Sequence, residues 1–141
     1  MKRSDPLSPQ ARSERMGRIK NKDTGPEMKV RRLVHSWGYR YRLHDPRLPG
    51  KPDLVFASRR KAIFVHGCFW HLHKPCTHYK YPRSRLEFWG PKLEANKERD
   101  AANRRKLHRL NWDILVVWEC QLRNQKALER TAERIRRFLE K

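Results

Sequence analysis

The chain has 141 residues, 35 of them Lys or Arg against 15 Asp or Glu, for a formal charge of +20 and a pI near 10.8. That length supports one modest core under a heavily charged surface, and no 18-residue apolar run or apolar stretch after the basic N-terminus suggests a membrane-spanning helix or a signal peptide. Three cysteines, an odd number, argue against a disulfide framework and for thiols kept reduced in a cytosol. So large a positive charge calls for a polyanionic partner, with nucleic acid ahead of an anionic membrane surface.

In chain order, residues 1–23 form a basic arm, within which 10–22 have the spacing for a short helix presenting Met16 and Ile19, the alternative being a disordered arm without nucleic acid present. A helix is expected from Pro26 to Trp37: Thr24 with Glu27 resembles a capping box, Pro26 suits a first turn and Gly38 a stop, and Val30, Leu33, Val34 and Trp37 mark the inward face. Tyr39 to His44 reads as a strand and residues 45–52 as a turn. Asp53–Ala57 and Ala62–His66 read as a hairpin around residues 58–61; if Ala57 opposes Ala62, Asp53 falls opposite His66. Residues 67–90 are expected to be irregular, which at that length calls for a staple or a function. A helix from Pro91 to Leu110, a buried strand from Trp112 to Trp118, and an amphipathic helix from Asn124 to Glu140 with Leu128, Ala132, Ile135 and Leu139 inward complete the chain. This order predicts an α/β fold, a mixed sheet flanked by helices, with residues 24–141 as one domain.

Residues 64–76 hold three histidines, two cysteines and the pair Phe69-Trp70. Cys68, His73 and Cys76, with Cys120 at the end of the strand from Trp112, supply the thiolates and imidazole of a tetrahedral zinc site, which would use all three cysteines and staple the irregular segment. His66, His71 and His78 compete as ligands, and one buried cysteine with two incidental ones is the plain alternative. Asp53, at the start of a hydrophobic strand, is placed to hold magnesium, a hard cation that prefers oxygen. His66 and His71 ordinarily titrate near neutrality and suit proton transfer or donation to a phosphate oxygen, while Glu27 is able to reach the same edge through metal-bound water. Each has a plainer reading: Asp53 caps a turn, Glu27 caps its helix, His71 binds zinc. Together they favour a nuclease. Lys92, Asn96 and Asp100 recur every four residues on one helix face, the first two able to meet base edges and the third to reach back to a histidine, with a solvated stripe on a charged helix as the plain alternative. Phe69, Trp70 and Trp89 suit a wedge between bases, whereas Trp112 and Trp118 are assigned to the core. Competing readings are a non-catalytic, zinc-stabilised DNA-binding module and a basic scaffold of a ribonucleoprotein.

Several blocks together resemble the very-short-patch repair (Vsr) DNA mismatch endonucleases: Arg12-Ser13 with Met16, Asp23-Thr24 with Glu27, Leu48-Pro49-Gly50-Lys51-Pro52-Asp53, His66-Gly67-Cys68-Phe69-Trp70-His71, Glu87-Phe88-Trp89, Glu98-Arg99-Asp100 and Val117-Trp118-Glu119-Cys120. The resemblance implies a restriction-endonuclease-like fold and a magnesium-dependent nick in duplex DNA 5′ to the thymine of a T:G mismatch. It implies Asp53 and the backbone carbonyl of Val65 as magnesium ligands, and His66, His71 and Asp100 as the proton-transfer network, with His71 the general base. Glu27 becomes an accessory acid, and Cys68, His73, Cys76 and Cys120 the structural zinc ligands. Phe69, Trp70 and Trp89 would wedge from the major groove, Met16 and Ile19 from the minor groove, and Lys92 and Asn96 would read the wobble pair. Val65 stands where the family pattern has threonine, and Lys74-Pro75 lengthens the His73–Cys76 spacing by one residue. A cytoplasmic, nucleoid-associated monomer, with mismatch-repair proteins as candidate partners, is the accompanying expectation.

Overall fold

The computed structural model describes residues 24–73, 76 and 84–141. The expectations for the arm 1–23, with Met16 and Ile19, and for His78 lie outside the described residues.

Helix α1 spans Gly25–Ser36. Thr24 caps it, its hydroxyl accepting from the Glu27 N–H at 3.2 Å, and Gly38, at φ +85°, takes the left-handed conformation that ends it. Strands β1 (Arg42–Leu43), β2 (Leu54–Phe56), β3 (Lys61–His66) and β4 (Asp113–Trp118) form one mixed sheet in the order β1-β2-β3-β4. β1, β2 and β3 pair antiparallel, and β4 runs parallel to β3, so the two end level, His66 beside Trp118. Helix α2 (Leu86–Arg109) makes the crossover between them, and α3 (Gln125–Glu140), capped by the Asn124 side chain, closes the chain.

Side chains alternate across the sheet. On one face Leu54, Phe56, Ile63 and Val117 pack with Val30 and Val34 of α1 and Ile135, Phe138 and Leu139 of α3. On the other, Val55, Ala62 and Phe64 pack with Leu107 of α2 and Trp112. Asp53 and His66 have the parity of this second face. Buried Lys61 ties the sheet to α3, donating to the carbonyls of Phe138 at 2.6 Å and Lys141 at 3.1 Å, where a cation complements the helix C-terminus.

Four expectations need correction. The first strand is two residues long: its partner β2 runs into the 3-10 turn after Phe56 at one end, and His44 turns to φ +46° at the other. The hairpin register is shifted by two: Phe56 opposes Lys61 and Leu54 opposes Ile63, around a 3-10 turn at Ala57–Arg59. Continued one residue, that register sets Asp53 opposite Phe64 and diagonal to His66. A two-residue slip preserves the face, so the acid and the imidazole remain on one side. The long crossover helix begins at Leu86, five residues before Pro91. Pro91 lacks the N–H that would bond the Glu87 carbonyl, but Trp89 packs on Phe69 and Trp70, and this tertiary contact offsets the lost bond. Trp118 lies outside both core clusters, half-buried at the strand end.

Candidate active site and metal centre

A cavity of about 710 Å³ opens between the 45–53 turn, the end of β3 and the middle of α2. The turn is held by buried Asp45, whose carboxylate accepts from the Arg47 backbone at 3.0 Å and from its guanidinium at 3.0 and 2.9 Å. Asp53, Val65, His66, His71 and Asp100 all line the cavity, and Lys51, Arg99 and Arg104 make its wall basic.

Asp53 Oδ2 accepts from the Val65 N–H at 2.7 Å. Burial pushes its carboxyl up to about 7, outweighing that hydrogen bond, and the adjacent Glu27 carboxylate adds to the rise. A carboxylate so disfavoured is one that a bound cation would stabilise. Behind it, His44 Nε2 lies 2.7 Å from Glu27 Oε2 and 3.7 Å from Asp53 Oδ1, and Arg31 donates to Glu27 at 2.5 Å. Glu27, 2% exposed, therefore stands behind the groove wall, where its carboxyl group meets both His44 and the Asp53 carboxyl directly.

His71 Nδ1 donates to Asp100 Oδ2 at 2.5 Å. Burial pushes the Asp100 carboxyl up, but the His71 hydrogen bond and charge, helped by His66 and Arg104, bring it below the usual carboxylate value. With Nδ1 committed, a neutral His71 carries its lone pair on Nε2, free to take a proton. The His66 ring stacks on His71 with centroids 3.8 Å apart and planes 6° from parallel.

Below this array, Cys68, His73, Cys76 and Cys120 bring one sulfur or nitrogen each to within 4.8 Å of one another. His73 Nδ1 is 3.5 Å from both Cys68 Sγ and Cys120 Sγ. A tetrahedral zinc ion with ordinary Zn–S and Zn–N bonds requires an S···N edge of about 3.6 Å, so the donor set fits such an ion. Burial and the neighbouring thiols push Cys68 up to about 12, and burial raises Cys120 as well. Two such thiols side by side would ionise together far more readily with a cation between them. Burial lowers the His73 pKa, which favours the neutral ring that a metal ligand requires.

Phe69, Trp70 and Trp89 form a half-exposed trio with mutual centroid distances of 5.2–5.5 Å, all edge-to-face. Lys92 is exposed beside Phe88, its Nζ 5.5 Å from that ring. Asn96 is 6% exposed: its Nδ2 donates to the Trp70 carbonyl at 3.2 Å and its Oδ1 accepts from Arg99 at 2.8 Å. The amide is thus tied to the base of the aromatic trio.

Four participants escaped the sequence reading. Arg31 was legible as the i+4 partner of Glu27. His44 and Trp118 depend on register, and Glu119, which accepts from the Cys68 N–H at 3.3 Å, depends on the parallel pairing of β3 and β4. No local pattern announces these.

Residues 4–78 match the family model "DNA mismatch endonuclease Vsr". The chain is 50% identical over 126 residues to "Type II nicking enzyme V.XorIIP" of Xanthomonas oryzae, covering 89% of this chain and 92% of that one. It is 41% identical over 130 residues to "DNA mismatch endonuclease Vsr" of Escherichia coli, covering 91% and 83%. A solved structure of the catalytic domain of the homing endonuclease I-Bth0305I aligns with TM-score 0.47 at 15% identity, over 82% of this chain and 94% of that domain. With the family model matching more than half of the chain and these relatives matching nearly all of it, the protein is an endonuclease belonging to the Vsr DNA mismatch endonuclease family.

Proposed function

We propose that this endonuclease nicks one strand of duplex DNA 5′ to the thymine of a T:G mismatch, by magnesium-dependent hydrolysis of the phosphodiester. One observation carries the reading: Asp53 and the His66–His71–Asp100 array line a single groove whose wall is basic. The names of the relatives, nicking enzymes and a mismatch endonuclease, support the strand specificity and the substrate.

The Asp53 carboxylate and the Val65 carbonyl are oxygen donors of the kind magnesium takes. When bound there, magnesium supplies charge neutralisation at the scissile phosphate and assistance to the leaving oxygen. His71 Nε2 accepts the proton of the attacking water, and Asp100 holds the ring and stabilises the resulting imidazolium. His66, stacked on His71, faces the same phosphate as a hydrogen-bond donor. Glu27 and His44 orient Asp53 from behind. Cys68, His73, Cys76 and Cys120 hold a structural zinc ion that keeps the Phe69–Trp70 turn in place. Phe69, Trp70 and Trp89 wedge beside the mismatch from the major groove, Met16 and Ile19 from the minor groove, and Lys92 and Asn96 read the wobble pair. The sheet and helices follow a restriction-endonuclease-like plan within a single domain, residues 24–141, preceded by a DNA-contacting arm. The enzyme works as a monomer in the cytoplasm; among the described residues no helix is long and apolar enough to cross a membrane.

The test sets matched T:G and T:A duplexes against wild type and Asp53→Ala, with and without magnesium. The expected result is a nick beside the mismatched thymine only with wild type, T:G and magnesium, while the variant still binds. Equal cleavage by the variant, or no cleavage of T:G duplexes in any sequence context, would overturn the reading.

A further inference from the structure

His66 and Trp118 are partners at the ends of parallel strands, and two residues beyond each lies a cysteine, Cys68 and Cys120. The parallel pairing therefore makes two layers: an imidazole beside an indole, then a pair of sulfurs. The Trp118 ring reaches into both layers. Its face stacks on His73, centroids 4.0 Å apart and planes 4° from parallel. It meets His66 edge to face, centroids 5.2 Å apart and planes at 73°. His66 stacks in turn on His71, which binds Asp100. A continuous train of ring contacts runs from the Cys/His cluster to the groove. The Trp118 backbone is fixed too, its N–H donating to Gln121 Oε1 at 3.0 Å.

From this geometry we infer that Trp118 is a positioning residue, a rigid plate by which the metal-clamped His73 ring sets the plane of the catalytic His66–His71 stack. The inference rests on the proposed proton-transfer role of that stack and on the cysteine cluster as a metal site. A flat ring gripped on its face by an immobilised imidazole has little freedom to tilt. The imidazole pressed against its edge is oriented with it, and an imidazole stacked on that one is oriented in turn. The His66 plane then comes from the metal cluster as well as from the strand. Displacement of a reacting group by about 1 Å costs on the order of a hundredfold in rate, so losing the plate should be felt in turnover.

The experiment uses metal-loaded full-length protein with Trp118→Leu, Trp118→Phe and His73→Cys. The last keeps four ligands for zinc while deleting the ring that grips Trp118. Trp118→Leu and His73→Cys are each expected to lower kcat by ~10–100-fold, with one zinc per chain, the melting temperature and the Kd for a T:G duplex close to wild type. Trp118→Phe should recover most of the rate. The ring-proton resonances of His66 and His71 should move in the two damaging variants whatever duplex is cleaved. Unchanged kcat and unchanged resonances in a zinc-bound variant would overturn the inference. If Trp118→Leu does not fold, His73→Cys decides by the same criteria. Wild type failing to nick any mismatched duplex would overturn the parent reading instead, and the resonances would still judge the plate.

Discussion

Among the described residues, the metal-capable side chains fall into a cysteine group below Trp118 and two adjoining groups, His66–His71–Asp100 and Glu27–His44–Asp53, above it, and the two regions are built to opposite rules. The lower one offers three sulfurs and one nitrogen, drawn from the turns that follow β3 and β4 and lying within 4.8 Å of one another, a donor set suited to a tetrahedral ion. The upper one has a carboxylate, two imidazoles and a second carboxylate spread around an open groove. A completed tetrahedron leaves no position for a substrate, whereas the groove keeps room for a phosphate and for water. One pair of strand ends thus feeds a closed site suited to holding the chain together and an open one suited to turnover. Stability should respond to the first and catalysis to the second.

The largest effect expected is from breaking the closed site. Removal of zinc by a strong chelator, or Cys120→Ser, should lower the melting temperature by more than ~10 °C, because structural zinc contributes several kcal/mol of folding free energy. Cleavage would be lost with it. Calorimetry alongside metal analysis checks this, and an unchanged melt would erase the distinction between the two clusters.

Asp53→Asn should behave in the opposite way. Cleavage should fall by about a thousandfold or more, the scale of a lost metal-assisted charge stabilisation, while the fold gains stability. The sign follows from the raised Asp53 pKa, near 7 against an ordinary 3.8. The native state binds more protons than the unfolded chain between about pH 4 and 7, so that contribution to stability declines as pH rises through this window. Above pH 7 the buried charge costs on the order of 2–4 kcal/mol, and the asparagine variant escapes it. In magnesium-free melts from pH 5 to 8 the variant's advantage should widen up to about pH 7 and then level off. Magnesium should raise the wild-type melt and leave that of the variant alone. A wild type whose stability climbs across this range would contradict the assignment.

The aromatic trio gives a smaller effect, confined to binding. Trp70→Ala should weaken a T:G duplex by ~1–3 kcal/mol, the scale of one stacked base, with the rate at saturating DNA less affected. Gel-shift titration and single-turnover cleavage separate the two.

How far these sites were legible differs by residue. Helices α1 and α3 were written locally, in Thr24, Gly38, Asn124 and the stripes through Val30 and Ile135. The gathering of the cysteine cluster was legible because donors close in sequence are close in space, and only Cys120 had to be brought from afar. Asp53 and His66 were placed on the right face at the wrong separation, since hairpin register depends on the turn at Ala57–Arg59 and composition alone did not give its length. His44 and Trp118 were not legible as site residues. Trp118 meets His66 through the pairing of β3 and β4, far apart in sequence, and His44 meets Glu27 through the packing of helix α1 beside the sheet. Trp89 on a helix was hidden by Pro91, where packing overrode a strong local stop.

The smallest effect probes how the open site keeps its shape without a metal clamp. Gly50 sits in the groove wall at φ +79°, and a Cβ there would lie 3.1 Å from Asn103 Cβ and Nδ2 and 3.2 Å from Phe64 Cε1. Gly50→Ala therefore carries two costs, a left-handed backbone and a crowded contact, together ~1–2 kcal/mol. The melting temperature should fall by a few degrees. Because the same turn delivers Asp53 and the same helix delivers Asp100, the crowding should push the two walls apart and lower kcat severalfold. Asn103→Ala in the Gly50→Ala background removes the Nδ2 contact but neither the Cβ contact nor the φ cost, so it should restore part of the rate and little of the melt. Full restoration of both would mean the backbone angle is tolerated. Restoration of neither would mean that the turn, and not its contact with α2, sets the distance across the groove. Graded losses of this kind are what an open site held by packing should show, in contrast to the abrupt failure expected when one ligand leaves a closed tetrahedron.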